Sequence, residues 1–444
     1  MTDNKVIDDL GLDSPTSNPS LEGSKLESLK AKLAAKKQEM APRILAKKTR
    51  SISFGFLGSG QCGANLVSYA HQLGYEAVCI NTANQDLELI DLPESNKLLL
   101  EYGLGGAARD LLIGQAAAEA HKEAIYELVQ EKLDDCQVLV FCLSLGGGSG
   151  AGSCQTVIDI LSTFNKPIIV ITVLPMATED AQVKKNALET LSKLAKETQN
   201  KRIHNLIVVD NAKIESIYSN VSQMDFYSVS NKAIMAPLDV FNTLSSMPSP
   251  VKGLDSMELA KILTDGGGLS VYGEMGISNY SEDTAIAEAV VENLNHGLLA
   301  GGFDLKQSKY VGVMIVANKR VWSKIPSSSV NYAMAMIGET CGTPDGIFKG
   351  IYSTEDIKED VVKIYSFFSG LGLPDSRVQQ LKKEAQEYIG KAKDKEVVRN
   401  LSLKLDTGTD ESTSAADKIR QQIAQKKSAF GGLVSSIVQD KRKK

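Results

Sequence analysis

The residues with the clearest chemical meaning lie between Phe141 and Gly152, Phe-Cys-Leu-Ser-Leu-Gly-Gly-Gly-Ser-Gly-Ala-Gly. An apolar strand runs into five glycines, Gly146, Gly147, Gly148, Gly150 and Gly152, and a helix-like stretch from Ser153 to Leu161 follows. Glycine lets a backbone turn tightly and approach a ligand closely. At a helix N-terminus the free N–H groups and the helix dipole both favour an anion, so this loop has the make-up of a phosphate cradle. A bare linker has the same composition but rarely joins a buried-type strand to an amphipathic helix. Two further glycine loops, Gly58-Ser-Gly60-Gln61-Cys62-Gly63 and Gly103-Leu-Gly105-Gly106-Ala107-Ala108, also precede helical stretches. The first of them matches the G-x-G-x-x-G dinucleotide fingerprint. That fingerprint wants an acid at the end of the second strand to hold a ribose hydroxyl, and Asn81-Thr82 stands there instead, which argues against a dehydrogenase. No G-x-x-x-x-G-K-[ST] is present, so the chain is not a P-loop nucleotidase. With no lysine in these loops, phosphate contacts are expected from backbone N–H groups and a bound metal ion.

Positioning such loops requires strands that end at them. Ile52–Leu57, Tyr75–Ile80, Val138–Leu143, Pro167–Leu174 and Asn205–Asp210 read as buried strands, separated by helical patterns near 64–73, from 108 to about 133, and 153–161. Strands alternating with helices imply a doubly wound parallel α/β sheet whose ligand crevice lies at the C-terminal strand ends. A long helix from Ser228 to Met247 stops at Pro248 and Pro250. Beyond it, Met257–Thr264 and Ser281–Leu299 are helical in pattern, Tyr310–Ala317, Gly346–Tyr352 and Val361–Phe368 are strand-like, and a charged helix is expected from Asp375 to about Lys393. The expected organisation is a basic, partly helical extension over 1–50, a nucleotide-binding domain over 51–227, a central helix and linker over 228–252, a smaller α/β domain over 253–400 and a tail over 401–444. In the extension, Leu26 to Leu45 interleaves leucines with lysines. The tail joins Ile419, Ile423, Phe430, Leu433, Val434, Ile437 and Val438 to a terminal Lys441-Arg-Lys-Lys444, a combination suited to an adaptor protein, a nucleic acid or an anionic membrane surface.

Composition sets the outer limits. The 444 residues are 43% hydrophobic and 23% charged, ordinary for a globular protein with two or three domains. A formal net charge of -5 argues against nucleic acid as the main partner of the whole chain. There is no bilayer-length apolar run, no signal-peptide pattern and no C-x-x-C among the six cysteines, so a cytoplasmic, disulfide-free protein is expected. The four histidines are scattered and suggest neither a zinc site nor a Cys–His nucleophile.

Taken together, the loops resemble the tubulin/FtsZ superfamily of self-assembling GTPases. Gly146–Gly152 is similar to its G-G-G-T-G-[ST/A]-G signature, with Ser149 in place of threonine and the hydroxyl kept. Gly60-Gln61-Cys62-Gly63 resembles the G-Q-C-G of tubulins, and Asn81-Thr82-Ala83-Asn84-Gln85 resembles the N-T-D-x-Q loop, with Ala83 where the family has an acid. Gly103–Ala108, with Gly105, Gly106 and Ala107, resembles the third phosphate loop. The resemblance spans about Ser51 to Phe368 and implies GTP or GDP with Mg2+ as ligands. Asn211, Tyr227 and Asn231 match the residues that contact and stack on guanine, and Glu179, Asp180 and Lys184 fall where the family meets the ribose. An aromatic face suits a purine, and amides can pair with its edge. Taken singly, Asn211 reads equally as a helix cap and Tyr227 as a core aromatic.

The resemblance also implies a reaction shared between subunits. Gly253-Leu-Asp255-Ser-Met-Glu258 is similar to the N-x-D-x-x-[DE] loop that enters the next subunit's nucleotide site, with Gly253 replacing asparagine. Asp255 and Glu258, three residues apart at a helix start, can face one side and orient a water; the same spacing also suits helix capping. Head-to-tail stacking is heterologous and gives filaments. The implied function is GTP hydrolysis coupled to polymerisation, with a role in cell division or in positioning DNA, a plasmid or a phage. The alternative is a nucleotide-binding filament or scaffold protein with little hydrolysis, suggested by Ala83 and Gly253.

Overall fold

The computed structural model describes residues 49–386, apart from 223, 250, 281 and 283. The amphipathic stretch Leu26–Leu45 and the tail beyond 401 lie outside the described residues.

The described residues form a ten-stranded sheet in the order β3-β2-β1-β4-β5-β6-β7-β10-β8-β9. Its first half is parallel: β1 (Phe54–Ser59), β2 (Glu76–Asn81), β3 (Lys97–Leu99), β4 (Val138–Ser144), β5 (Ile168–Leu174) and β6 (Asn205–Asp210). Apart from β3 these strands are almost wholly buried, the pattern of parallel strands covered on both faces. One apolar core lies under each face, Leu57, Phe141 and Leu206 on one side and Phe56, Val140 and Ile207 on the other. The alternation inside each strand is that of a pleat.

β1 pairs with β2 on one side and β4 on the other, so the winding direction reverses between β1 and β4. A crevice opens at such a switch point. The helices that start there are α1 (Gly60–Gln72) after β1, the short α2 (Asn84–Glu88) after β2, and α5 (Ser149–Ser162) after β4. The stretch expected as one helix to Leu133 is two, α3 (Leu111–Ala120) and α4 (Lys122–Leu133). The break falls at His121, whose backbone leaves helical geometry and whose N–H is shared between the Ala117 and Ala118 carbonyls. α6 (Ala181–Gln199) follows β5, α7 (Asn211–Ile217) follows β6, and the central helix α8 (Phe226–Leu244) crosses behind them.

The later strands extend the same sheet. β7 (Leu269–Ile277) lies parallel to β6, β10 (Val362–Leu371) runs antiparallel between β7 and β8 (Tyr310–Ala317), and β9 (Gly346–Ser353) is parallel to β8. β7 has no counterpart in the sequence reading: Gly273 and Gly276 interrupt it, and Gly266–Gly268 precede it. Gly273 is required there, since a Cβ would stand 2.0 Å from the Gly297 carbonyl oxygen. α9 (Ser256–Ala260), α10 (Ala285–Glu292), α11 (Lys319–Trp322), α12 (Ser327–Cys341) and a last helix at 375–386 complete the described chain. α9 and α10 each run on into a π-helical turn, at Lys261–Asp265 and Asn293–Gly297.

Candidate nucleotide site

A cleft of about 800 Å3 opens where the switch point predicts it. Gly60, Gln61 and Cys62 line it from α1, Gly106 and Ala107 from the third loop, Gly146–Gly150 from the signature loop, Glu179 from the loop after β5, Asn211 from α7, and Tyr227 and Asn231 from α8. Thus three glycine loops and both ends of the expected base site share one cavity. Tyr227 is 59% exposed and offers its ring to the opening, with Phe226 edge-on behind it at 5.6 Å.

The signature loop departs from its expected physics at one point. None of its five glycines adopts a positive φ. They are small because protein crowds them: a Cβ on Gly148 would lie 2.9 Å from the Arg109 backbone nitrogen, and one on Gly152 would lie 2.5 Å from the Leu111 carbonyl oxygen. The cradle is a close-packed junction of α3, α5 and the third loop. Hydroxyls fasten it: Ser149 Oγ meets Thr82 Oγ1 at 2.6 Å, and Ser59 Oγ meets Ser153 Oγ at 2.7 Å.

Several expected residues do not reach the cleft. Asn81 is buried, its Oδ1 accepting from the Thr82 N–H at 2.8 Å and its Nδ2 donating to Asp86 at 3.0 Å. It builds the loop that carries Thr82. Gln85 is exposed on α2 and Gly105 stands behind Gly106, and neither lines the cavity. Lys184 sits in the first turn of α6 facing away: its Nζ donates to the Ala177 carbonyl at 2.6 Å and pairs with Glu384 at 2.9 Å. Glu179, five residues earlier, lines the cleft and accepts from the Met176 N–H at 3.0 Å. The Glu179-to-Lys184 spacing straddles the N-cap Asp180, so the two side chains diverge.

Asp255 and Glu258 are also outside the cleft. They form a capping box at the start of α9, Asp255 Oδ1 accepting from the Glu258 N–H at 2.8 Å and Glu258 Oε2 from the Asp255 N–H at 3.0 Å. Asp255 remains exposed.

The cavity holds residues that sequence reading missed: Asn65, Asp86, Arg109, Ser144, Met176, Val183 and Ser230. Single residues on loops and helix turns carry no periodic signal. Asp86 did stand in view, three residues after Ala83, where it brings a carboxylate to the loop that lacks the family's acid. Cys62 offers no nucleophile: burial, aided by the charge of Glu179, pushes its thiol up to about 12.

The arrangement suits an anionic, ring-bearing ligand, with glycine loops at one end and an aromatic with two asparagines at the other. Residues 54–219 match the model of the tubulin/FtsZ family GTPase domain, and residues 238–382 match the TubZ-like C-terminal domain of tubulin/FtsZ-like proteins. The tubulin-like protein TubZ of Bacillus cereus is 25% identical over 353 residues, covering 73% of this chain and 80% of that protein. The cell division protein FtsZ 1 of Methanocaldococcus jannaschii is 28% identical over 303 residues, covering 66% and 77%. Among solved structures, a GTPγS-form protofilament of Bacillus thuringiensis serovar israelensis TubZ superposes with a TM-score of 0.69 at 19% identity, over 80% of this chain and 95% of that one. CetZ2 from Haloferax volcanii superposes with a TM-score of 0.64 at 21% identity, over 77% and 100%. At these identities the superpositions establish the fold. With two domain models matched in order, the chain belongs to the tubulin/FtsZ family and is a GTPase, its GTPase domain at residues 54–219 and its C-terminal domain of the TubZ-like kind.

Proposed function

We propose that the protein assembles head to tail into filaments and hydrolyses GTP at the junction between subunits. One observation carries this reading. Exposed apolar side chains flank both the cleft and the acidic loop. Leu104 is fully exposed on the third loop, with Leu112 and Leu89 beside the cleft's other loops, and Met257, 70% exposed, stands between Asp255 and Glu258. Apolar residues placed this way fit a contact between copies, and two different patches that meet give an open, heterologous stack. Stacking would bring Asp255 and Glu258 of one subunit over the phosphate end of the next, where a carboxylate can orient the attacking water.

Within one subunit, the glycine loops would hold the phosphates, Tyr227 would stack on the base, and Asn211 and Asn231 would pair with its edge. Mg2+ fits oxygen donors of the kind present here, Asp86 and the hydroxyls of Thr82 and Ser149, together with phosphate and water. Bound there, it would offset the charge of the phosphates. As to role, TubZ-like segregation of DNA is favoured over cell division, because the C-terminal domain is of the TubZ-like kind and one structural relative is described as a type III plasmid segregation TubZ. The basic tail would then bind an adaptor or nucleic acid; it lies outside the described residues.

The test is electron microscopy with parallel phosphate-release measurements. GTP should give filaments and GDP few. Filaments without phosphate release would favour the nucleotide-binding scaffold instead. The absence of both filaments and phosphate release with GTP would overturn the proposal.

A further inference from the structure

Among the described residues that line the cleft, Arg109 is the only basic one. Its backbone is unusual. Ala108 and Arg109 have φ of 46° and 64°, two successive non-glycine residues in the left-handed region, which is costly and persists only where the surroundings enforce it. The enforcement is visible. Asn186, 2% exposed on α6, donates from Nδ2 to the Arg109 carbonyl at 2.8 Å and to the Gly146 carbonyl at 3.1 Å. One buried amide therefore ties Arg109 to the signature loop. On the other side, Gly148 comes so close to the Arg109 backbone that a Cβ there would collide with it.

The side chain is held less firmly. The guanidinium pairs with Asp180 Oδ2, while Asp180 Oδ1 accepts from the Val183 N–H at 3.0 Å and caps α6. Arg109 is 60% exposed and Asp180 34%. A solvent-facing pair of this kind contributes little and exchanges easily. A guanidinium binds phosphate oxygens bidentately and never loses its charge.

We propose that Arg109 is a specificity-determining residue for the triphosphate: its guanidinium leaves Asp180 for the terminal phosphate of the bound nucleotide and returns to Asp180 when that phosphate is gone. The anchored backbone fixes the base of the side chain against the phosphate loop, and the weak partner leaves its end free to move. This rests on the nucleotide reading of the cleft.

The test is binding of GTPγS and of GDP to the full chain, below the concentration at which it assembles. Arg109→Ala should weaken GTPγS roughly tenfold or more, as loss of a charge-assisted contact does, and GDP by less than about threefold. Arg109→Lys, which keeps the charge without the planar fork, should fall between. Asp180→Asn keeps the helix cap and removes the competing charge, so GTPγS binding should be unchanged or tighter. GDP affinity close to wild type doubles as the folding control. Equal losses for both nucleotides in Arg109→Ala, no loss for either, or an Asp180→Asn variant as weak as Arg109→Ala would overturn the proposal. Wild-type protein binding neither nucleotide would instead overturn the nucleotide reading.

Discussion

Arg377 Nε donates to Asp210 Oδ2 at 2.6 Å, deep in the fold, and thereby ties the last described helix to the floor of the nucleotide cleft. Arg377 also donates to the Pro175 carbonyl at 3.0 Å. Pro175 lines the cleft, and Asp210 precedes the cleft-lining Asn211. One guanidinium from position 377 thus holds together the ends of β5 and β6. Burial pushes the Asp210 carboxyl above its ordinary value, against the pull of Arg377.

Removing Arg377 should therefore be costly. Arg377→Met leaves Asp210 buried without its partner, and the expected loss is about 3–5 kcal/mol of folding stability. Adding Asp210→Asn should recover part of it. Chemical denaturation of the single and double variants measures both, and a single-variant loss below about 1 kcal/mol would mean that the pair is not doing this work.

His204 supplies a pH dependence. Its Nδ1 accepts from the Ile168 N–H at 3.1 Å, which requires the neutral ring, and burial holds its pKa below the ordinary value despite the nearby charge of Asp265. The folded state binds fewer protons here than the unfolded chain, so stability rises with pH in this window. The contribution is complete above the unfolded value of about 6.5, begins to fall below it, and is fully lost once pH has dropped through the lower folded value. Melting temperature measured from pH 7.5 to 5.5 should drop for the wild type, and His204→Asn should flatten that slope from a lower starting point.

Gly148 tests the packing reading of the signature loop. Gly148→Ala forces a methyl group against the Arg109 backbone and the Ala107 Cβ, none of which can rotate away. Overpacking of this sort costs about 1–3 kcal/mol, and the displaced third loop should weaken nucleotide binding as well. Gly147, whose Cβ would meet only the movable Ser144 Oγ at 3.1 Å, should accept alanine with a smaller effect on stability. Equal stability losses at both positions would contradict this account of the loop.

Asp255 has two roles that one substitution separates. Asp255→Asn keeps a side chain that caps α9 nearly as well, so stability should be retained, whereas Asp255→Ala should lose about 0.5–2 kcal/mol. If the carboxylate works on the neighbour's nucleotide, both variants should lose hydrolysis alike while GTP binding stays intact. Hydrolysis preserved in Asp255→Asn would leave capping as the residue's only role.

The parts of the site that form runs were legible in the sequence. The strand-glycine-helix units at Gly60 and Gly146 announce themselves by composition, and the alternation of β1, β4 and β5 with helices fixes where the crevice opens. Asn211, Tyr227 and Asn231, which the resemblance to the tubulin/FtsZ family implies, line one cleft. What stayed hidden depends on side-chain direction or on distant partners. Asn81 sits in the right loop but turns its amide inward to Thr82 and Asp86. Lys184 is claimed by Glu384, two hundred residues away in the sequence, which no local pattern announces. β7 escaped because Gly273, which serves close approach to Gly297, and Gly276 break the strand pattern.

The central claim is that one chain carries the pocket and the next completes it. GTP turnover per subunit, measured across protein concentration, tests that most directly. A shared site gives a rate per subunit near zero at low concentration that climbs steeply once filaments form and then levels off. A rate per subunit that stays constant from dilute monomer to filament would show that each chain hydrolyses GTP alone, and would contradict the account.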